Sequence, residues 1–134
     1  MSNHALAEIV QTIVLLNPQN EILILRTPAG MWQLPGGRLN NDEHWEEGLR
    51  REVREETEID DLSIDSVIRV NNWIFEGVPQ YGVYFRCRTK MERIVLSREH
   101  TDFLWVGPGV NLDEFEFWHP TLRELVEQTL NQKY

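Results

Sequence analysis

The chain has 134 residues, with 13 Lys and Arg against 22 Asp and Glu, a formal net charge of −9 and a single cysteine, Cys87. That size fits one domain, taken as residues 1–134, and an acidic chain with no basic stripe excludes a nucleic-acid backbone as the natural partner. One cysteine excludes an internal disulfide and suits a reduced, partly buried thiol in an intracellular protein.

The first apolar run, Ile9 to Leu16, is interrupted by Gln11 and Thr12. It lacks the basic flank of a signal peptide and is too short to span a bilayer, so a soluble cytoplasmic protein with no membrane partner is expected. The run reads as a buried strand, and Glu21 to Arg26 as its hairpin partner across the turn formers "NPQN", Asn17 to Asn20. A loop, "RTPAG", leads to a short strand, Met31 to Leu34, stopped by Pro35; Gly36 and Gly37 follow, where the backbone is least restricted. A long helix is expected from Asn41 or Asp42, with Asn40 and Glu43 as a capping box. Two strands follow within Ser63–Phe75 and Tyr81–Lys90, joined by "EGVP". Met91 to His100 reads as a loop with some strand character. Thr101 to Val106 is another strand, Asp113 begins a helical turn, and Pro120 opens a C-terminal helix reaching about Gln132. Strands and helices spaced in this way give an α/β fold, a sheet covered on both faces.

Charge is concentrated in one segment. Asp42 to Asp61 holds ten acids and three arginines. On a helical wheel Trp45, Leu49 and Val53 form an apolar stripe about 80° wide. Pairs such as Glu46–Arg50 and Arg54–Glu58 account for a solvated face. Glu56, however, falls inside the stripe, Glu52 just outside it, and Glu55 on the same flank. Buried carboxylates without partners are costly. A hard divalent cation with oxygen ligands resolves that cost, and Arg51 can orient and partly neutralise the cluster.

At these residues the sequence resembles the Nudix hydrolase family. Gly37, Glu43 and "REVREETEI", Arg51 to Ile59, keep the spacing of the family's box, with one departure: Glu58 stands where the family has Gly. "WQLPGG", Trp32 to Gly37, matches the approach to the box, and "HTDFLWV", His100 to Val106, resembles a later strand. The resemblance implies an α/β/α sandwich with a mixed sheet between helices. It implies hydrolysis of a nucleoside diphosphate linked to another moiety, with Mg²⁺ or Mn²⁺ held by Glu52, Glu55 and Glu56 and the carbonyl of Gly37. Arg51 and Glu43 would support the glutamates. The general base is left open among Glu52, Glu99 and His100, and His100 reads equally well as a surface loop histidine. At Glu58 the helix either ends in a left-handed residue or runs on to Asp60.

The expected partner is a small nucleotide. Subfamily markers after the box are absent. "REHTDFLWV" is similar to enzymes of nucleotide sugars, and the compact chain is similar to enzymes of nucleoside triphosphates. Trp73, Phe75 and Tyr81 read as base-stacking residues or, more commonly, as core; Trp32, Trp105 and Trp118 read as core too. His4, His44 and His119 read as surface residues. Many members of the family are dimers, so a homodimer is an open expectation. A catalytically silent nucleotide-binding module is the alternative, against which stand the retained Glu52, Glu55 and Glu56.

Overall fold

The computed structural model describes residues 3–132; the outermost positions of the expected 1–134 domain lie outside the described residues. The strands are β1 (Glu8–Leu16), β2 (Ile22–Arg26), β3 (Trp32–Gln33), β4 (Gly36–Arg38), β5 (Ser63–Phe75), β6 (Val78–Arg88) and β7 (Asp102–Val106). The helices are α1 (Trp45–Thr57) and α2 (Pro120–Leu130), with a 3-10 turn at Leu112–Glu114. The strands form one mixed sheet in the order β3-β2-β1-β6-β5, with β4 also on β1 and β7 on β2. β1 runs parallel to β6 and antiparallel to its other neighbours.

The apolar runs of β1 and β2 supply both faces of the sheet, as period-two side chains require in a strand covered on each side. Val14, Leu16, Ile22 and Ile24 pack toward Leu122, Leu125 and Val126 of α2. Ile13, Leu15, Leu23 and Leu25 pack toward Leu49 and Val53 of α1. One helix therefore covers each face, which is the expected α/β/α sandwich. No described helix is long and apolar enough to cross a membrane.

Several boundaries differ from the sequence reading. α1 begins at Trp45, later than expected. Asn40 N–H does donate to Glu43 Oε1 at 3.0 Å, but this bond closes a turn in which Asp42 takes φ 64°. The N-cap is His44, whose Nδ1 accepts from Glu46 N–H; His119 does the same for α2 through Thr121 N–H. Both histidines are exposed, as expected, but they close helix ends. Gly36 and Gly37, read only as positions where the backbone is least restricted, belong to β4 and pair with Thr12 and Gln11. Met91 to His100 contains no strand.

Glu58 ends α1 in the left-handed region, φ 61° and ψ 16°, with its N–H on Arg54 O. The helix does not run on to Asp60. A side chain in that conformation is strained by about 1–2 kcal/mol relative to glycine. Glu58→Gly therefore stabilises the protein by about 0.5–1 kcal/mol once the looser unfolded chain is counted, a gain to be read as a higher midpoint in urea unfolding.

Cys87 is fully buried in the α1-side core. Burial first, with the Asp65 carboxylate nearby, pushes its thiol up to about 12. Since the thiolate is the reactive form, Cys87 in the folded protein stays unmodified by a disulfide reagent at pH 8 and reacts once urea unfolds the chain.

Candidate active site

The apolar face of α1 places Leu49 and Val53 in the core, and one further turn places Glu56 there as well, 4% exposed. Its Oε1 accepts from Gly36 N–H at 2.7 Å, which ties β4 to the helix. Desolvation is the main cause that raises Glu56 to about 8, opposed by the Gly36 N–H and reinforced by Glu52, Glu99 and Glu55. Glu52 is raised too, again chiefly by desolvation, with Arg51 pulling the other way. These carboxylates share a space in which their negative charges oppose one another.

Arg51 is the cation of the cluster. Its Nε and Nη2 grip Glu43 at 2.6 and 3.0 Å, and its Nη1 reaches Glu52 at 2.9 Å and Glu55 at 3.2 Å. Nη2 also donates to Arg38 O at 3.2 Å. The fork geometry of the guanidinium makes the paired grip on Glu43, and those bonds hold Glu43 down at about 2. Glu55 points outward along this network, its side chain 58% exposed. Gly37 lies directly against Glu52: a Cβ there would overlap the Glu52 carboxylate. The close approach of β4 to α1 needs glycine at this position.

The loop before β7 completes the cluster. His100 is not on the surface, which corrects one of its two readings; its side chain is 2% exposed and lies beside Glu56. Its Nε2 is 3.2 Å from Gln33 Oε1. Its Nδ1 is 3.7 Å from Glu56 Oε2, beyond hydrogen-bond range, and has no hydrogen-bond partner among the described residues. Burial lowers the proton affinity of the imidazole, with Glu99 opposing. Ligand atoms of Glu56, Glu99 and His100 all fall within 4.8 Å of one another. Thus Gly37, Arg51, Glu52, Glu56, Glu99 and His100 converge, and Glu55 reaches the group through Arg51.

Beyond Gly36 and Gly37 opens a pocket of about 700 Å³. Trp73 and Phe75 from β5, Tyr84 from β6, and Trp118 and His119 just before α2 line it. Two register shifts in β5 lie before this segment, and bulges of this kind increase strand twist. Phe75 and Trp118 meet edge to face at 6.2 Å. Trp118 is 49% exposed, so the core reading of Trp118, Trp73 and Phe75 is corrected: they are wall residues of a cavity. Trp32 is core as expected, at 8% exposure. The sequence reading missed Gln33, whose only signal was its place in "WQLPGG".

Comparison with known proteins agrees with this architecture. A family model described as NUDIX domain matches residues 8–129. The nucleoside triphosphatase NudI of Escherichia coli is 33% identical over 90 residues, covering 59% of this chain and 63% of that protein. A MutT-like protein of Streptomyces ambofaciens is 36% identical over 87 residues, covering 65% of this chain and 54% of that one. The chain thus matches less than two thirds of the length of these relatives. The crystal structure of a MutT protein from Methanosarcina mazei Go1 is similar at TM-score 0.75 and 28% identity, covering 96% of each chain. With the family model running from the first strand to the last helix, and with Glu52 seated against Gly37 and Glu56 bonded to Gly36, the chain belongs to the Nudix hydrolase family.

Proposed function

We propose that the protein hydrolyses a pyrophosphate bond in a nucleoside diphosphate linked to another moiety, with a nucleoside triphosphate or a nucleotide sugar as substrate and Mg²⁺ or Mn²⁺ as cofactor. The observation that carries this reading is Glu56, a carboxylate buried in the apolar face of α1 and surrounded by Glu52, Glu55 and Glu99. Such crowding suits a hard cation bound through oxygens. Glu52, Glu55, Glu56 and the Gly37 carbonyl are the groups proposed to hold it. When bound, the ion supplies positive charge against the phosphate oxygens and eases ionisation of the attacking water. Arg51 keeps Glu52 and Glu55 oriented, so the ligands are preorganised. Glu52, Glu99 and His100 are the groups proposed to take the proton that the water loses.

The aromatic pocket lies at the β4 end of this cluster, where a heterocycle on the phosphate chain would rest against Trp73 and Trp118. The name of the Escherichia coli relative, a nucleoside triphosphatase, favours triphosphates among the substrates. The reading takes residues 1–134 as one cytoplasmic domain acting on small molecules, with neither nucleic acid nor membrane as partner.

The test is a panel of nucleoside triphosphates, nucleotide sugars and dinucleotides with Mg²⁺ or Mn²⁺, read as released pyrophosphate or phosphomonoester. Turnover of at least one class is expected. Tight binding without turnover of any would favour the silent module instead. Trp118→Ala raises KM for the best substrate about tenfold with little change in kcat, since a stacked base contributes about 1–3 kcal/mol. An unchanged KM would remove Trp118 from the substrate pocket.

A further inference from the structure

We propose that His100 binds the metal directly through Nδ1, beside Glu56 and Glu99, so that the site takes a first-row transition-metal dication such as Mn²⁺ in preference to Mg²⁺. The inference rests on the metal-dependent reading above and narrows it: one ligand is nitrogen, and it comes from the loop before β7 rather than from α1.

Three observations converge on this. First, Gln33 Oε1 can only accept, so its 3.2 Å contact with Nε2 keeps the ring proton on Nε2 and leaves a lone pair on Nδ1. A hydrogen bond to the far nitrogen is how a metal-binding imidazole is usually oriented. Second, that lone pair is buried and without a hydrogen-bond partner among the described residues. It faces Glu56 Oε2, another lone-pair donor, and two acceptors turned on one another in a dry space are unfavourable unless something positive lies between them. Third, the separation suits a shared ion. Two ligand atoms about 2.1 Å from one cation stand about 3–4 Å apart, and Nδ1 and Oε2 are 3.7 Å apart.

A proton could take the place of the ion, by charging His100 or neutralising Glu56. Either proton leaves Nδ1 and Oε2 at 3.7 Å, too far apart for a hydrogen bond between them. The imidazole sets the metal preference, because a first-row transition dication accepts a nitrogen donor more readily than Mg²⁺, which prefers oxygen; Mn²⁺ is the weakest case of that series. With its lone pair in coordination, His100 is not free to act as base, which leaves that role to a glutamate oxygen such as one of Glu52.

The test uses the full chain with the metal alone. Mn²⁺ is added to metal-free protein, and pulsed electron paramagnetic resonance reads hyperfine coupling to nitrogen. One directly coordinated imidazole nitrogen is expected. In His100→Gln the coupling disappears, and Mn²⁺ affinity by calorimetry falls about tenfold or more, while Mg²⁺ affinity falls much less. Bound Mn²⁺ with no nitrogen coupling in the unaltered protein overturns the proposal and leaves an all-oxygen site intact. No binding of either ion overturns both the proposal and the metal-dependent function. The spectrum of the unaltered chain decides the question even if His100→Gln fails to fold.

Discussion

Replacing Glu56 by Gln lowers turnover about a hundredfold to a thousandfold, while the metal-free variant melts no lower than the parent. The two halves of this result separate a functional carboxylate from a structural one. Glutamine has the same shape, and its Oε1 still accepts the Gly36 N–H that Glu56 accepts at 2.7 Å. The tie between α1 and β4 is kept. What disappears is the capacity to carry negative charge for a cation, at a place where burial raises Glu56 to about 8. In the metal-free protein at neutral pH that carboxyl is mostly neutral already, so an amide of the same shape costs the fold little. A residue retained for stability would behave in the opposite way. Activity and thermal melting in chelator are the two measurements, and full activity in Glu56→Gln would end the metal-ligand assignment.

The second large effect is at Arg51. Arg51→Met lowers the melting temperature by about 4–8 °C and turnover about tenfold to a hundredfold. The side chain makes four contacts to three glutamates and one to Arg38 O. Methionine keeps the length but leaves Glu43, Glu52 and Glu55 without their cation, inside a segment already rich in acids. Arg51→Lys recovers only part of the loss. A lysine is a compact charge with three donors and cannot reproduce the fork that holds both oxygens of Glu43. If Lys performed as well as Arg, charge alone would suffice and the geometric account of the network would fail. The partly exposed rim of the cluster keeps the expected stability loss moderate.

Much of this was legible because it is local or periodic. The apolar runs of β1 and β2 announce strands buried on both faces. A spacing of 3.6 residues puts Glu56 into the stripe with Leu49 and Val53 whatever the tertiary context, so its burial followed from the wheel. The family box then named the chemistry around it. What was misread depended on contacts distant in the chain. β4 exists because Gly36 and Gly37 pair with Thr12 and Gln11, and nothing next to two glycines says so. The Asn40–Glu43 bond is real, yet Asp42 in a left-handed conformation keeps it out of the helix. His100 is buried because its loop folds over Glu56 and Gln33, residues from two other elements. Trp73 and Trp118 resemble core residues in sequence. They become walls of one cavity only when the end of the β5–β6 hairpin meets the start of α2.

The parallel pairing at the middle of the sheet bears on how the chain reaches this state. β1 and β6 align from Glu8 with Gln80 to Leu16 with Arg88, partners 72 positions apart. Closing so long a loop costs entropy before any of the ladder returns it, and non-local topologies of this kind fold slowly, in about milliseconds to seconds. The β5–β6 hairpin, whose partners are near in sequence, has no such delay and can form first, offering one edge of β6 as a template for β1. During synthesis β1 therefore emerges early and waits for most of the chain, and the Gly36 and Gly37 segment that β1 carries meets its final setting only when β6 has been made.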